Sequence, residues 1–253
     1  MTRVISVISG KGGVGKTTIT ANIAVSLARQ DQDVLIIDGN FSGANLAQHF
    51  GIGFSDVTLN DVLDGDAYIT QAVAKHPEGV SVIPASVLEF SANAQNLKHS
   101  IVDFLGDKDF VFIDAAAGIG DEVEAAIEAS DEVLLVSEPE LPSLTNCLGA
   151  KKLADQLNRD VLGLVVNGVR GERSEVSMDD IEDLVETDIL GTVPDHKHVR
   201  ESIALREPVV SYKPDSRASI AIEDIAHRLR GEEPPERGFA QRLKTGFQEL
   251  NPF

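Results

Sequence analysis

One stretch, Gly10-Lys11-Gly12-Gly13-Val14-Gly15-Lys16-Thr17-Thr18, constrains this chain more than any other. It follows the apolar run 4–8 and precedes an apolar-periodic stretch, 19–27. Strand, glycine-rich loop and helix in that order make a phosphate-binding loop. The glycines let backbone N–H groups wrap a phosphate chain with no Cβ in the way. The helix, predicted to start near Thr17, adds the positive end of its dipole. Lys16 is placed to reach the β- and γ-phosphates, and the Thr17 hydroxyl to ligate Mg²⁺.

An ordinary phosphate loop does not require a lysine at position 11. The string KGGVGKTT resembles the deviant Walker A loop of the MinD/ParA family of ATPases. The resemblance implies ATP and Mg²⁺ as cofactors, with residues Gly10 to Thr18 around the phosphates and slow hydrolysis of ATP. It also implies an ATP-sandwich homodimer in which Lys11 crosses to the partner subunit's nucleotide. A cation supplied in trans neutralises phosphate charge only when two subunits close.

Short apolar runs rich in β-branched residues recur at 4–9, 34–38, 80–84, 110–114, 133–137, 162–167 and 189–193. Runs of this length suit strands buried on both faces, as in a parallel sheet. Helical periodicity lies between them, for example at 19–29 and 144–157, and again at 216–230. The alternation predicts a doubly wound, mostly parallel α/β sheet flanked by helices. Ligands in such folds sit beyond the carboxyl ends of the strands.

The remaining motifs fall at those ends. Asp38 closes the second run and is followed by Gly39-Asn40-Phe41-Ser42-Gly43-Ala44-Asn45-Leu46. This is similar to the family's first switch, which implies Asp38 near Mg²⁺ and the attacking water. Asn40 stands where many members carry a second aspartate; an amide orients water but cannot take its proton. Asp114 and Gly118 are similar to the second switch, D-x-x-x-G, which implies a carboxylate holding Mg²⁺ through water and a glycine N–H that senses the γ-phosphate. The implied metal set is therefore Thr17, Asp38 and Asp114. Asn167, Pro194 and Asp195 follow two later runs, where the family holds adenine. An Asn amide both donates and accepts at a purine edge. Beyond Ser143, Thr145-Asn146 replaces an Arg-Asp pair common in the family, so its usual regulatory contact is not expected.

Charge narrows the partners. The chain of 253 residues has 41 acidic and 22 basic side chains, a net charge of −19. A diffuse negative surface repels nucleic-acid phosphate, which argues against DNA as a partner. Such composition also resembles that of salt-loving organisms. Cys147 is the only cysteine, so no disulfide and no cysteine metal cluster forms within the chain. The first apolar run is too short for a signal peptide and none approaches the ~20 residues of a membrane span, so an intracellular protein is expected.

The chain divides into an ATPase domain at 1–230, a stiff linker at 231–236 with two prolines and three acids, and a tail at 237–253. In the tail Phe239, Leu243, Phe247 and Leu250 share one helical face, with Arg237, Arg242 and Lys244 against a single acid, Glu249. A basic amphipathic helix is a membrane-surface signature, and the family's MinD branch ends in a comparable segment. The expected protein is a MinD-like ATPase switch at the inner face of the cell membrane. It dimerises with ATP, meets unknown protein partners and positions cellular machinery. The alternatives are a ParA-like DNA-segregation ATPase, a metal-centre maturation ATPase and an ATP-binding adaptor with little hydrolysis.

Overall fold

A computed structural model describes residues 1–89 and 92–236. Phe239, Leu243, Phe247 and Leu250 lie outside the described residues.

The seven apolar runs all form strands, and an eighth, short strand joins them. They are β1 (Arg3–Ser9), β2 (Val34–Gly39), β3 (Ala74–Lys75), β4 (Val80–Ile83), β5 (Phe110–Ala117), β6 (Glu132–Ser137), β7 (Asp160–Val169) and β8 (Ile189–Pro194). They pair in the order β3-β4-β2-β5-β1-β6-β7-β8. Only β3 runs antiparallel to its neighbour, β4. The two residues of β3 carry no apolar run, so patterning had nothing to register there.

The helices are α1 (Lys16–Ala28), α2 (Leu46–His49), α3 (Leu59–Asp64), α4 (Leu97–Ser100), α5 (Asp121–Ala129), α6 (Leu141–Gln156), α7 (Met178–Val185), α8 (Lys197–Leu205), α9 (Val209–Tyr212) and α10 (Arg217–Leu229). Both α1 and α6 begin three residues before their apolar periodicity does. The first turn of α1 is Lys16-Thr17-Thr18, polar yet buried. That of α6 opens on Leu141-Pro142, and proline suits a helix's first turn, where its missing N–H is not needed.

Alternate side chains of the strands feed two cores. Val4 and Ile8 of β1 pack on one face with Val123, Ile127, Leu144 and Cys147. Ile5 and Val7 pack on the other with Ile19, Ile23, Ile222 and Ile225. Covering both faces is what makes unbroken apolar strands stable here. No helix of the described residues is long and apolar enough to cross a membrane.

Strand order sets the site. β5 lies between β1 and β2, so the carboxyl ends of all three converge. Asp38 of β2 and Asp114 of β5 are direct register partners, and Val7 of β1 flanks Asp114 on its other side.

Candidate functional site

The loop after β1 needs glycine for two different reasons. Gly13 and Gly15 have φ of 84° and 89°, in the left-handed region that side chains rarely adopt. Gly10 is held by proximity instead: a Cβ there would stand 2.0 Å from the Asn146 carbonyl oxygen. Thus Gly10 admits α6 against the loop, and Gly13 and Gly15 turn the chain into α1. That helix opens on Gly15 with no side-chain cap and no acidic residue in its first turn. Helix N-terminal N–H groups left without a side-chain cap form a ready anion site.

Beneath the loop, charge is concentrated and dry. Lys16 Nζ donates to Asp114 Oδ1 at 2.9 Å, and Thr17 Oγ1 lies 2.6 Å from Asp114 Oδ2. The Asp114 side chain is fully buried and Lys16 is 8% exposed. Asp38 is also buried and accepts from the backbone N–H groups of Asn40, Asn45 and Leu46 at 3.1–3.2 Å. Burial, and then the Asp114 carboxylate, push Asp38 up to about 7, against the pull of those N–H groups and of Lys16. Two buried carboxylates therefore share one ammonium.

This donor set fits a polyphosphate carrying Mg²⁺. An anion there would meet helix N–H groups and Lys16. A cation would meet the Thr17 hydroxyl and a surplus of carboxylate, and Mg²⁺ is commonly held by one or two carboxylates plus substrate phosphates.

The buried carboxyl has a thermodynamic signature. Folded Asp38 keeps its proton up to about pH 7, whereas the unfolded carboxyl loses it near 3.8. Its contribution to stability is thus full below about pH 4 and is lost as pH rises through 7. Asp38→Asn removes that penalty, at the cost of one acceptor, because both carboxylate oxygens now accept backbone N–H groups. The nucleotide-free variant is expected to melt several °C above the parent at pH 8, at about 2–4 °C per kcal/mol for a chain of this size, and to show little difference at pH 4. Differential scanning calorimetry at the two pH values checks this; equal melting points at pH 8 contradict it.

The structure also shows what the other predicted residues touch. Asn40 donates from Nδ2 to the Gly43 carbonyl at 2.8 Å, closing the turn that leads to α2. An aspartate could not make that bond. Gly118, with φ of 93°, spends its N–H on the Ser9 carbonyl at 2.9 Å, so it must turn away to meet a phosphate. Asn167 donates to the Val14 carbonyl at 2.7 Å, tying β7 to the phosphate loop. Asp195, just beyond Pro194 at the end of β8, is gripped by Arg170 at 3.0 Å and by Arg200. Gly12 lies near Ala117, and Thr18 uses its carbonyl to accept from Asn22 at 2.8 Å.

Lys11 faces elsewhere. Its ammonium lies 3.6 Å from Glu138 and 3.8 Å from Glu140, past the end of β6, with 42% of the side chain exposed. The two lysines of one loop thus diverge, Lys16 inward toward β5 and Lys11 outward over β6.

One residue was missed as a site residue. Asn45 places Oδ1 3.1 Å from the Thr17 hydroxyl while its N–H bonds Asp38, so the first switch touches the phosphate loop directly. The signal was its place in the switch segment, directly ahead of Leu46.

Comparisons with known proteins agree with this fold. The ParA family model, described as NUBPL iron-transfer P-loop NTPase, matches residues 1–230. An uncharacterized ATP-binding protein of Methanocaldococcus jannaschii is 40% identical over 236 residues, covering 90% of this chain and 87% of the relative. The septum site-determining protein MinD of Synechocystis is 33% identical, covering 93% of this chain and 92% of that protein. Among solved structures, the septum site-determining protein MinD of Pyrococcus horikoshii, complexed with Mg-ADP, superimposes with a TM-score of 0.86 at 31% identity. That match covers 90% of this chain and 96% of the other.

Proposed function

The chain belongs to the ParA family of P-loop NTPases, and from that membership we propose that it is a MinD-like ATPase switch. It binds ATP with Mg²⁺, closes into a nucleotide-sandwich dimer, engages the inner membrane surface through residues 237–253, and positions other cellular machinery. The observation that carries this reading is the divergence of Lys11 from Lys16. A cation on the rim beside Glu138 and Glu140, turned away from its own loop, supports a role toward a second subunit.

In the proposed cycle Lys16 and the loop N–H groups bind the phosphates, and Thr17, Asp38 and Asp114 hold the cation. When bound, Mg²⁺ neutralises charge on the phosphate oxygens. Asn40 orients water without taking its proton, which leaves Asp38 as the neighbouring carboxylate that would accept it. Hydrolysis is accordingly slow until a partner protein intervenes. Asn167, Pro194 and Asp195 flank the adenine.

Iron transfer, the description attached to the family model, finds little support in this chain. Its single cysteine, Cys147, is buried in α6, and burial pushes the thiol up to about 12, far from a metal-binding thiolate. The charge of −19 weighs equally against a DNA-binding role.

Sedimentation velocity tests the dimer. With Mg²⁺ and a non-hydrolysable ATP analogue the protein is expected to sediment as a dimer, and with ADP as a monomer. Lys11→Ala should remain monomeric while binding the analogue within a few-fold of the parent, because its own phosphate contacts come from Lys16 and the loop. A monomer at saturating analogue contradicts the proposal.

A further inference from the structure

We propose that residues 237–253 dock, within the same chain, into a groove at the base of the sheet opposite the nucleotide site, and that this contact keeps a single tail off the membrane. The basal groove has a volume of about 650 Å³ and is lined by Thr2, Val4, Ile101, Val102, Leu105 and Ala129 among others. Val4 and Ile101 form a buried floor, whereas Val102 and Leu105 stand 54% and 51% exposed at its mouth. It offers apolar surface with nothing of the described chain laid across it.

The route of the chain favours its own tail as the occupant. Arg3 donates to the Leu229 carbonyl at the end of α10 and pairs with Glu132 at 2.7 Å. Thr2, just before β1, and Val4 flank Arg3 in sequence and line the groove on the opposite side of the sheet. The end of α10 and the groove thus lie on two sides of the same strand base. Glu232 is still tied to the helix end, its N–H bonding the His227 carbonyl at 3.0 Å. Residues 233–236 can reach about 13 Å from there when extended. Seventeen further residues would add about 25 Å if helical, so the groove is within reach.

Charge is mixed in the groove and negative around it. Glu128 and Asp131 line it together with Lys98, Arg159 and the Met1 amino group, and Asp33, Asp103, Asp107 and Asp109 are exposed at the same base beyond the lining. Those outer carboxylates suit a segment with Arg237, Arg242 and Lys244 against one glutamate. The apolar face of Phe239, Leu243, Phe247 and Leu250 matches the groove as it matches a bilayer, so groove and membrane compete for it. The groove is remote from the loop, so nucleotide need not evict the tail. Instead, two tails held together in a dimer outcompete two cis contacts through effective concentration.

The chain contains no tryptophan, so Phe247→Trp gives a single reporter in the full-length protein. Without lipid or nucleotide its emission is expected to be blue-shifted at every protein concentration, and to revert to that of solvent-exposed tryptophan when Leu105→Glu is added. Leu105 is half exposed, so that change spares the core. Exposed emission in the parent, a blue shift that appears only as concentration rises, or no response to Leu105→Glu would each overturn the docking. A second arm rests on the membrane reading of the tail. In a Lys11→Ala background, Leu105→Glu should raise affinity for phosphatidylglycerol vesicles about 3–10-fold, the factor by which docking lowers the fraction of free tail. Unchanged affinity overturns the restraint. The tryptophan arm needs no lipid, so failure of the membrane reading leaves it standing.

Discussion

Lys16→Ala protein is expected to turn over ATP about 10²–10³-fold more slowly than the parent, at or below background phosphate release. Among the described residues Lys16 is the one ammonium buried among the site's carboxylates, 2.9 Å from Asp114. Losing one preorganised charge at a reacting phosphate removes stabilisation of that order. The same change strands Asp114 and Asp38 in a dry site without a counter-charge. Breaking one side of a buried pair costs about 3–5 kcal/mol, so the variant should also melt well below the parent. Asp38→Asn moves stability the other way at pH 8 while also impairing turnover. Opposite shifts in melting with a shared loss of activity are the expected signature of a site that trades stability for charge. Turnover within tenfold of the parent in Lys16→Ala would contradict the assignment.

Removing residues 238–253 is expected to bring liposome binding to background while ATP-dependent dimerisation persists. Four apolar side chains give a gross of about 6–12 kcal/mol if fully buried, at ~1.5–3 kcal/mol each. Partial insertion, helix ordering and lost freedom consume much of that. Phe247→Glu should have nearly the effect of the deletion, because it places a charge in the middle of the apolar face. Basic residues add little in concentrated salt, where the Debye length falls to about 3 Å at 1 M. Co-sedimentation with vesicles measures both variants. A truncated protein that still sediments with lipid rules out the tail as the membrane contact.

Much of this architecture was legible because burial on two faces leaves an unmistakable pattern. Every one of the apolar runs became a strand, and the motif at 10–18 runs from the loop after β1 into the first turn of α1 as its glycines required. What patterning could not supply was strand order. Asp38 and Asp114 are distant in sequence and become register partners only because β5 inserts between β1 and β2. Nor could it distinguish kinds of glycine. Gly10 answers to a carbonyl of α6, a contact across the fold, while Gly13 and Gly15 answer to their own dihedrals. Asn40 and Gly118 show a third gap. Motif spacing pointed to what they do toward a ligand, whereas their bonds to Gly43 and Ser9 depend on how each turn closes. The two-residue β3 has no hydrophobic period at all.

The central claim is that ATP, acting through Lys11, joins two chains and thereby commits them to a membrane. Vesicle co-sedimentation of the full-length protein and of Lys11→Ala, each with Mg²⁺ and either ADP or a non-hydrolysable ATP analogue, tests it most directly. The parent is expected to pellet with vesicles in the analogue and to stay in solution with ADP, and Lys11→Ala to stay in solution with both, although its tail is intact. Equal pelleting of the parent with either nucleotide, or pelleting of Lys11→Ala to the parent's extent, would contradict the account.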